Sequence, residues 1–253
     1  MQTGAITQYI DVAQLVLYAF WVFFAGLIYH LHQENKREGY PLESDRSDRI
    51  RVEGFPAMPA PKTYHLRDGS TVTTPRPANE LPVNAMPVAG HPGAALHPNG
   101  DPMLAGVGPG AYAQRADVVD TTITGAPRIV PLRASSGFGI AAGDIDPRGL
   151  PVIGADGSVG GTVTDLWVDQ AEMLFRYLEV EVPGAAGGVL LPVPFARIGP
   201  RAVRVRSVNG AQLAQVPRTR HPDQATFLEE EKVIAYYGAG TLYADPSRAE
   251  PLL

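Results

Sequence analysis

The most constraining feature of this sequence is an uncharged run of 20 residues close to the amino terminus. The stretch from Val12 to Leu31 reads VAQLVLYAFWVFFAGLIYHL. A helix of this length spans roughly 30 Å, the thickness of a bilayer core. We therefore predict one transmembrane helix over residues 12–32. A cleavable signal peptide is the alternative, but the preceding residues contain no Lys or Arg and do contain Asp11, which does not fit a signal peptide.

The charges after this run predict its orientation. Lys36 and Arg37 follow the apolar stretch directly, and positive charge is enriched on the cytoplasmic side of membrane helices. We expect residues 1–11 to face the periplasm and the remainder to lie in the cytoplasm. Lys36, Arg37 and Lys62 are candidates for contact with lipid headgroups, although a positive flank is also what any such anchor carries.

Composition excludes several classes of function. The 253 residues include no cysteine, so disulfides, thiolate metal sites and thiol nucleophiles are excluded. The net charge of −5 is not that of a nucleic-acid-binding protein, which needs a basic face. No nucleophile motif, phosphate-binding loop or zinc spacing is present, and six histidines are scattered. An independent enzyme therefore has no motif to support it.

Residues 33–110 are predicted to form an extended segment on the cytoplasmic side. Twelve prolines between Pro41 and Pro109 are too closely spaced for long helices or central strands. One hairpin is predicted, KTYHL and TVTT around the turn residues Asp68 and Gly69. A disordered linker is the alternative, but apolar residues recur throughout, so we favour an ordered segment lying on the surface of another protein.

Residues 111–253 have the pattern of a small antiparallel β-barrel or sandwich. Short strands are predicted in GLPVIG, SVGGTVTDLWV, FRYLEVEV, GVLLPVPFARIG and AVRVRSV. In FRYLEVEV, alternation places Leu178, Val180 and Val182 on one face and Tyr177 on the other. FLEEEKVIAYYGAG predicts a helix of two to three turns that ends near Gly238 to Gly240.

One group of charged residues could carry chemistry. Asp165, Asp169, Glu172 and Arg176 lie within TDLWVDQAEMLFRY, the last three in or near the link between two strands. A solvated, salt-bridged turn would explain them. They could equally form a proton-conducting cluster, in which repulsion between carboxylates raises one pKa while Arg176 restrains it.

With these motifs in order, the sequence resembles the H subunit of the purple-bacterial photosynthetic reaction centre. The resemblance covers nearly the whole chain. It rests on FFAGLIYHL, ENKREGYPLE, PKTYHL, GDPMLAGVGPGAYA, GDIDPRGLPV, GTVTDLWVD, FRYLEVE and EEEKVIAYYGAGTLYA. The alternative is a membrane-anchored PRC-barrel adaptor of another assembly, which would lack the combination of anchor, EGYPLE and GDPMxxGVGP.

The resemblance implies a fold, partners and a non-catalytic role. The fold would be a single transmembrane helix followed by a mainly-β cytoplasmic domain of the PRC-barrel type with a short carboxy-terminal helix. The subunit would bind no cofactor itself. It would cap the pigment-carrying L and M subunits, whose complex holds bacteriochlorophyll, bacteriopheophytin, quinones, carotenoid and non-haem iron. A cytochrome subunit, antenna polypeptides and membrane lipids are further expected partners, and nucleic acid is not.

The resemblance also implies that the chain helps conduct protons to the secondary quinone. Glu172, Asp169 and Arg176 match the family's proton-path residues, and Glu43 of EGYPLE matches a further acidic position. One departure concerns proton uptake. The segment from Thr121 to Pro131 has no histidine where some members have two, so Asp117, Asp120 and His65 are the remaining candidates.

Overall fold

The computed structural model describes residues 6, 10–44, 47–75, 83–91, 93–185 and 187–248, with only the backbone described for 43, 44 and 47–50. The chain divides into two compact units. The first comprises Met1–Pro82 and Ala89–Ala94, and the second comprises Val83–Val88 and Ala95–Leu253. The boundaries that we expected at residues 33 and 111 stay predictions.

The first unit contains the long apolar helix. Helix α1 spans Val12–Asn35, and Asp11 caps it by accepting a hydrogen bond from the backbone N–H of Gln14 at 2.8 Å. Its side chains are not buried within the unit, and its most apolar window has a mean hydropathy of 1.9. By length and composition, α1 can therefore cross a membrane.

Two short hairpins follow α1 in the first unit. Strands β1 (Leu42–Ser44) and β2 (Ser47–Val52) form one antiparallel pair, and β3 (Lys62–His65) and β4 (Thr71–Thr74) form the other. The second pair is the hairpin predicted around Asp68 and Gly69, and Gly69 has the positive φ of 83° that such a turn requires.

The basic residues after α1 bind the chain itself. Lys36 is only 3% exposed, and its Nζ donates to the backbone oxygens of Glu53 and Pro56. Arg37 donates to the carboxylate of Glu34 at 2.9 Å and to two further backbone oxygens. These donors hold the segment that follows the helix, and the expected headgroup contacts of Lys36 and Arg37 stay a prediction.

The second unit is built on a curled sheet of seven strands. Its sheet strands are β7 (Ile129–Pro131), β8 (Pro151–Ile153), β9 (Val159–Asp169), β10 (Leu174–Glu181), β11 (Val189–Pro192), β12 (Ala196–Ile198) and β13 (Val203–Val205). They run in the order β11-β10-β9-β8-β13-β12, and β7 pairs with the end of β9. All pairs are antiparallel except β8 with β13. A separate hairpin of β5 (Ala85–Pro87) and β6 (Leu96–Pro98) precedes this sheet.

Strand β10 shows how the sheet uses both of its faces. Leu178, Val180 and Val182 are buried, as their alternation predicted. Tyr177, expected on the outer face, is also buried, because the outer face of β10 is covered there by the carboxy-terminal helix. The pairing of β10 with β9 shifts register between Phe175 and Tyr177, which adjusts the strand at this point.

The carboxy-terminal helix α2 spans Phe227–Tyr243 and is capped by Thr226 and Glu229. The predicted helix is confirmed, but its predicted end at Gly238 to Gly240 is wrong. At about 3.6 residues per turn, α2 makes nearly five turns. The two glycines lie inside the helix, where they allow close packing rather than end it. A Cβ at Gly238 would collide with the backbone oxygen of Pro109, and a Cβ at Gly240 would collide with that of Ser207.

Candidate functional site

The candidate site is centred on Asp169, the last residue of β9. Strand β7 pairs with this end of β9, with Ile129 opposite Asp169. This register places Arg128, the residue before β7, beside the Asp169 carboxylate. The backbone N–H of Gln170 donates to the Arg128 oxygen at 2.9 Å and continues the pairing by one residue.

Asp169 is a fully buried carboxylate with a complete set of donors. Arg128 Nε donates to its two oxygens at 3.0 and 3.1 Å, and Arg176 donates to Oδ2 from Nε at 3.2 Å and from Nη2 at 3.1 Å. The backbone N–H groups of Ala171 and Glu172 each donate to Oδ1 at 3.0 Å. Burial raises the pKa of Asp169, but these hydrogen bonds outweigh it and hold the pKa below its usual value.

Glu172 connects this buried carboxylate to solvent. It lies in the four-residue link after β9, with its backbone held by Asp169, and its side chain is 47% exposed. Arg128 Nη2 donates to Glu172 Oε1 at 2.5 Å, and Arg176 Nη2 donates to Oε2 at 3.2 Å. Both arginines therefore bridge the buried carboxylate and the exposed one. Hydrogen bonding to Asp169 is the main cause that raises the pKa of Arg128 above its ordinary value.

Asp120 extends the cluster on the side of Arg128. Its Oδ2 accepts a hydrogen bond from Arg128 Nη1 at 3.3 Å. Asp117, the other acidic candidate upstream, lies in a different set of contacts. It accepts from Thr226 Oγ1 at 2.7 Å and pairs with Arg220 at 2.6 Å. Of the two aspartates named as candidates for proton uptake, the structure joins only Asp120 to Asp169 and Glu172.

A second carboxylate with a shifted pKa lies next to the cluster. Tyr177 Oη donates to Glu230 Oε2 at 2.7 Å, which links β10 to the first turn of α2. Burial raises the pKa of Glu230, while the hydrogen bond from Tyr177 and the charge of Arg176 oppose that rise. The carboxylate with the raised pKa is thus Glu230, because it is buried, whereas hydrogen bonds from two arginines keep Asp169 ionised.

Asp165 is not part of this cluster, although the sequence pattern grouped it with Asp169. Four strand residues separate the two by roughly 13 Å. Asp165 Oδ2 accepts from Arg133 Nη1 at 3.2 Å, and the same nitrogen donates to Glu179 Oε2 at 2.6 Å. Asp165 therefore belongs to a separate network around Arg133.

The remaining predicted residues lie in the first unit. His65 is an exposed residue of β3, and Glu43 lies in β1 with its side chain outside the described residues. Within the described ranges, no group of three His, Cys, Asp or Glu side chains has a geometry that could hold a metal ion.

Sequence reasoning missed two members of the cluster, Arg128 and Glu230. Arg128 lies in the segment from Thr121 to Pro131, where only the lack of histidine had been noted. Its signal is an arginine directly before the apolar pair Ile129 and Val130. Glu230 carries no such signal, because it is one of three successive glutamates near the start of α2 and the most deeply buried of them is the capping residue Glu229.

Two protein families match this chain. Residues 4–134 match the family model described as "Photosynthetic reaction centre, H-chain N-terminal region". Residues 143–212 match the PRC-barrel domain, which covers the chain from just before β8 into the turn after β13. The resemblance seen in the sequence, the mainly-β fold and the single apolar helix are thereby confirmed, and the first match includes α1 and Arg128.

Proposed function

Since the chain belongs to the family of photosynthetic reaction-centre H chains, we propose that it caps the cytoplasmic face of the L and M subunits and helps conduct protons to the secondary quinone. The family makes it a membrane-anchored subunit of the reaction-centre complex. In this proposal α1 is the tether, with residues 1–11 in the periplasm. Residues 33–110 lie over the partner subunits, and residues 111–253 form the cytoplasmic cap.

The pigments and electron carriers belong to the partners in this proposal. Bacteriochlorophyll, bacteriopheophytin, carotenoid, quinones and non-haem iron would be bound outside this chain. The role of the chain would be accessory rather than catalytic: it would hold the assembly together and supply polar side chains to a quinone site that bulk water does not reach. The inner membrane is the expected location.

The proposed proton conduction rests on one observation: a continuous network of side chains joins an exposed carboxylate to a buried one. Glu172 is half exposed and shares both of its arginines with the fully buried Asp169. A proton taken up by Glu172 would therefore enter a connected network of titratable groups. Asp120 extends the network on the same side through Arg128.

The pKa shifts suggest different roles within the network. Asp169, with its lowered pKa, would stay ionised and would favour positive charge nearby rather than store a proton. Glu230, with its raised pKa, would hold a proton more readily. Arg128 and Arg176 would fix the geometry. Glu43 remains a further proposed member.

The proposal is tested in the whole complex purified through this chain. The preparation should contain bacteriochlorophyll absorbing in the near infrared. The variant Glu172→Gln removes the titratable group and keeps the side-chain size. We expect it to slow the proton-coupled second electron transfer to the secondary quinone by about tenfold or more, or at least 1.4 kcal/mol on the barrier. Primary charge separation should not change.

The matched control is Glu181→Gln at the exposed end of β10, away from both arginines. It should leave the second electron transfer unchanged. A colourless preparation would refute the assignment to the reaction centre. Unchanged kinetics in Glu172→Gln would remove Glu172 from the proton path while leaving the capping role intact.

A further inference from the structure

The sheet of the second unit contains a strongly basic region that the cluster around Asp169 does not use. Between Glu181 and Asp223 the sequence contains six arginines and no acidic residue, in a chain whose net charge is −5. Three of these, Arg197, Arg204 and Arg206, line one open cavity of about 440 Å³, together with Arg248. We call this cavity the arginine pocket.

The hairpin of β12 and β13 places like charges side by side. Arg197 lies directly opposite Arg204 in the antiparallel pairing, and Arg206 lies two residues beyond Arg204, on the same side of the strand. Like charges in directly opposed positions destabilise a sheet. Within the described part of the chain, none of the three forms an ion pair. Among the described residues, they therefore have no counterpart to the carboxylates that pair with Arg128, Arg133 and Arg176.

Arg248 lies at the same pocket and is held rigidly. Its Nη1 donates to the backbone oxygens of Ser207 at 2.9 Å and Gly240 at 2.7 Å, and its Nη2 donates to that of Arg206 at 3.0 Å. A guanidinium has five N–H donors, so two remain available. The Gly240 oxygen, near the carboxy-terminal end of α2, offsets part of the positive charge of Arg248 through this hydrogen bond.

A polar group without a partner lies at the same place. Ser207 lines the pocket and is 5% exposed, and its buried hydroxyl has no hydrogen-bond partner among the described residues. Most buried hydroxyl groups are hydrogen-bonded. Thr241 also lines the pocket from the α2 side, but its hydroxyl donates to the backbone oxygen of Gly238 at 2.6 Å. The pocket thus combines several guanidinium groups, which are the donors that bind phosphate best, with a neighbouring buried hydroxyl whose hydrogen-bonding capacity is unused among the described residues.

We propose that the arginine pocket binds a phosphate-bearing anion, either a small soluble phosphate or the headgroup of an anionic phospholipid. Planar guanidinium groups match phosphate oxygens two at a time. A single carboxylate would neutralise only one of the four positive charges, whereas a phosphate can accept hydrogen bonds from several arginines at once. Binding would also relieve the repulsion between Arg197 and Arg204.

The test uses the full chain in a neutral detergent and two probes at fixed ionic strength. Calorimetric titration with inorganic pyrophosphate reports on a soluble phosphate, and titration with a short-chain phosphatidylglycerol reports on a lipid headgroup. The double variant Arg204→Gln/Arg206→Gln should weaken binding by about 100-fold, or about tenfold for each charged contact removed.

The matched control is Arg201→Gln. Arg201 is an exposed arginine in the turn of the same hairpin, but it does not line the pocket. Its replacement should change affinity by no more than about twofold, the effect of lost long-range attraction. Binding of both probes that depends on Arg204 and Arg206 would establish a general phosphate site. The same dependence for the lipid alone would establish a headgroup site.

Thermal unfolding gives a second readout that a misfolded variant would not reproduce. Without ligand, Arg204→Gln should raise the Tm by up to about 2–4 °C, because one of two opposed charges is removed. It should also reduce the rise in Tm that the bound probe causes in the wild-type chain. Three results would overturn the proposal: no binding of either probe, equal binding by the double variant and the wild type, or an equal loss in Arg201→Gln.

Discussion

Replacing Arg128 with glutamine tests whether the buried Asp169 carboxylate is held by its two arginines. The change removes the guanidinium that donates to both Asp169 oxygens and to Glu172. Leaving a buried charge without its partner costs about 3–5 kcal/mol. In this site Arg176 and two backbone N–H groups still donate to Asp169, so we expect a smaller loss of about 1–3 kcal/mol.

The pH dependence of this loss follows from the sign of the Asp169 shift. Hydrogen bonding holds the pKa of Asp169 in the folded chain below the reference value of 3.8. That interaction stabilises the fold above pH 3.8, and the stabilisation is lost as the pH falls through the folded pKa. Arg128→Gln should raise the pKa of Asp169 in the folded chain, and each pKa unit corresponds to about 1.4 kcal/mol of stability. The cost of the substitution should therefore be larger at pH 7 than at pH 3, which lies below the reference pKa.

The assay is urea unfolding of the full chain in detergent at both pH values, followed by the fluorescence of Trp167, which is buried in β9. Arg148→Gln is the matched control. Arg148 pairs with Asp146 at 2.7 Å, but both side chains are nearly half exposed, and such pairs contribute about 0–1 kcal/mol. The reasoning is refuted if Arg128→Gln costs no more than Arg148→Gln, or if its cost is the same at pH 3 and pH 7.

Two further predictions concern α2. Gly240→Ala should destabilise the fold by about 1–3 kcal/mol in chemical unfolding, because the added Cβ would overlap the Ser207 oxygen. Helix propensity alone predicts a gain of about 1 kcal/mol, so a gain in stability would contradict the packing argument. The control Gly139→Ala, at an open position, should be neutral. Burial raises the pKa of Glu230 above its reference value of 4.5, so wild-type stability should fall as the pH rises from 4.5 through the folded pKa. Glu230→Gln should remove that part of the fall above pH 4.5, and an unchanged pH profile would show that burial does not raise the pKa of Glu230.

The parts of the fold that the sequence predicts well are those governed by local pattern. Alternation identified β10 and β13, and length and hydropathy identified α1. The turn between β8 and β9 is equally local, because Gly157 itself supplies the positive φ of 79° that the turn needs. In each case the determining interaction lies within one element or one turn.

The errors occur where a distant part of the chain determines the structure. Gly238 and Gly240 resemble a helix end, yet they mark places where Pro109 and Ser207 approach the helix closely. Arg128 and Asp169 are 41 residues apart, and only the pairing of β7 with β9 brings them together. Local pattern cannot reveal such a partner, so Asp169, Glu172 and Arg176 were named from the sequence, whereas Arg128 and Glu230 were not.

The arginines of the second unit serve two different electrostatic purposes. Arg128 and Arg176 compensate carboxylates of the same chain, so changing either one alters the ionisation of Asp169 and Glu172. Arg197 and Arg204 oppose each other across a hairpin, so changing either one relieves repulsion. Added salt should therefore separate the two groups: screening acts mainly on exposed charges, so it should stabilise the hairpin while leaving the buried Asp169 pairs nearly unaffected. Without an external anion, the repulsion between Arg197 and Arg204 lowers the stability of the sheet. The proposed phosphate ligand would remove that loss.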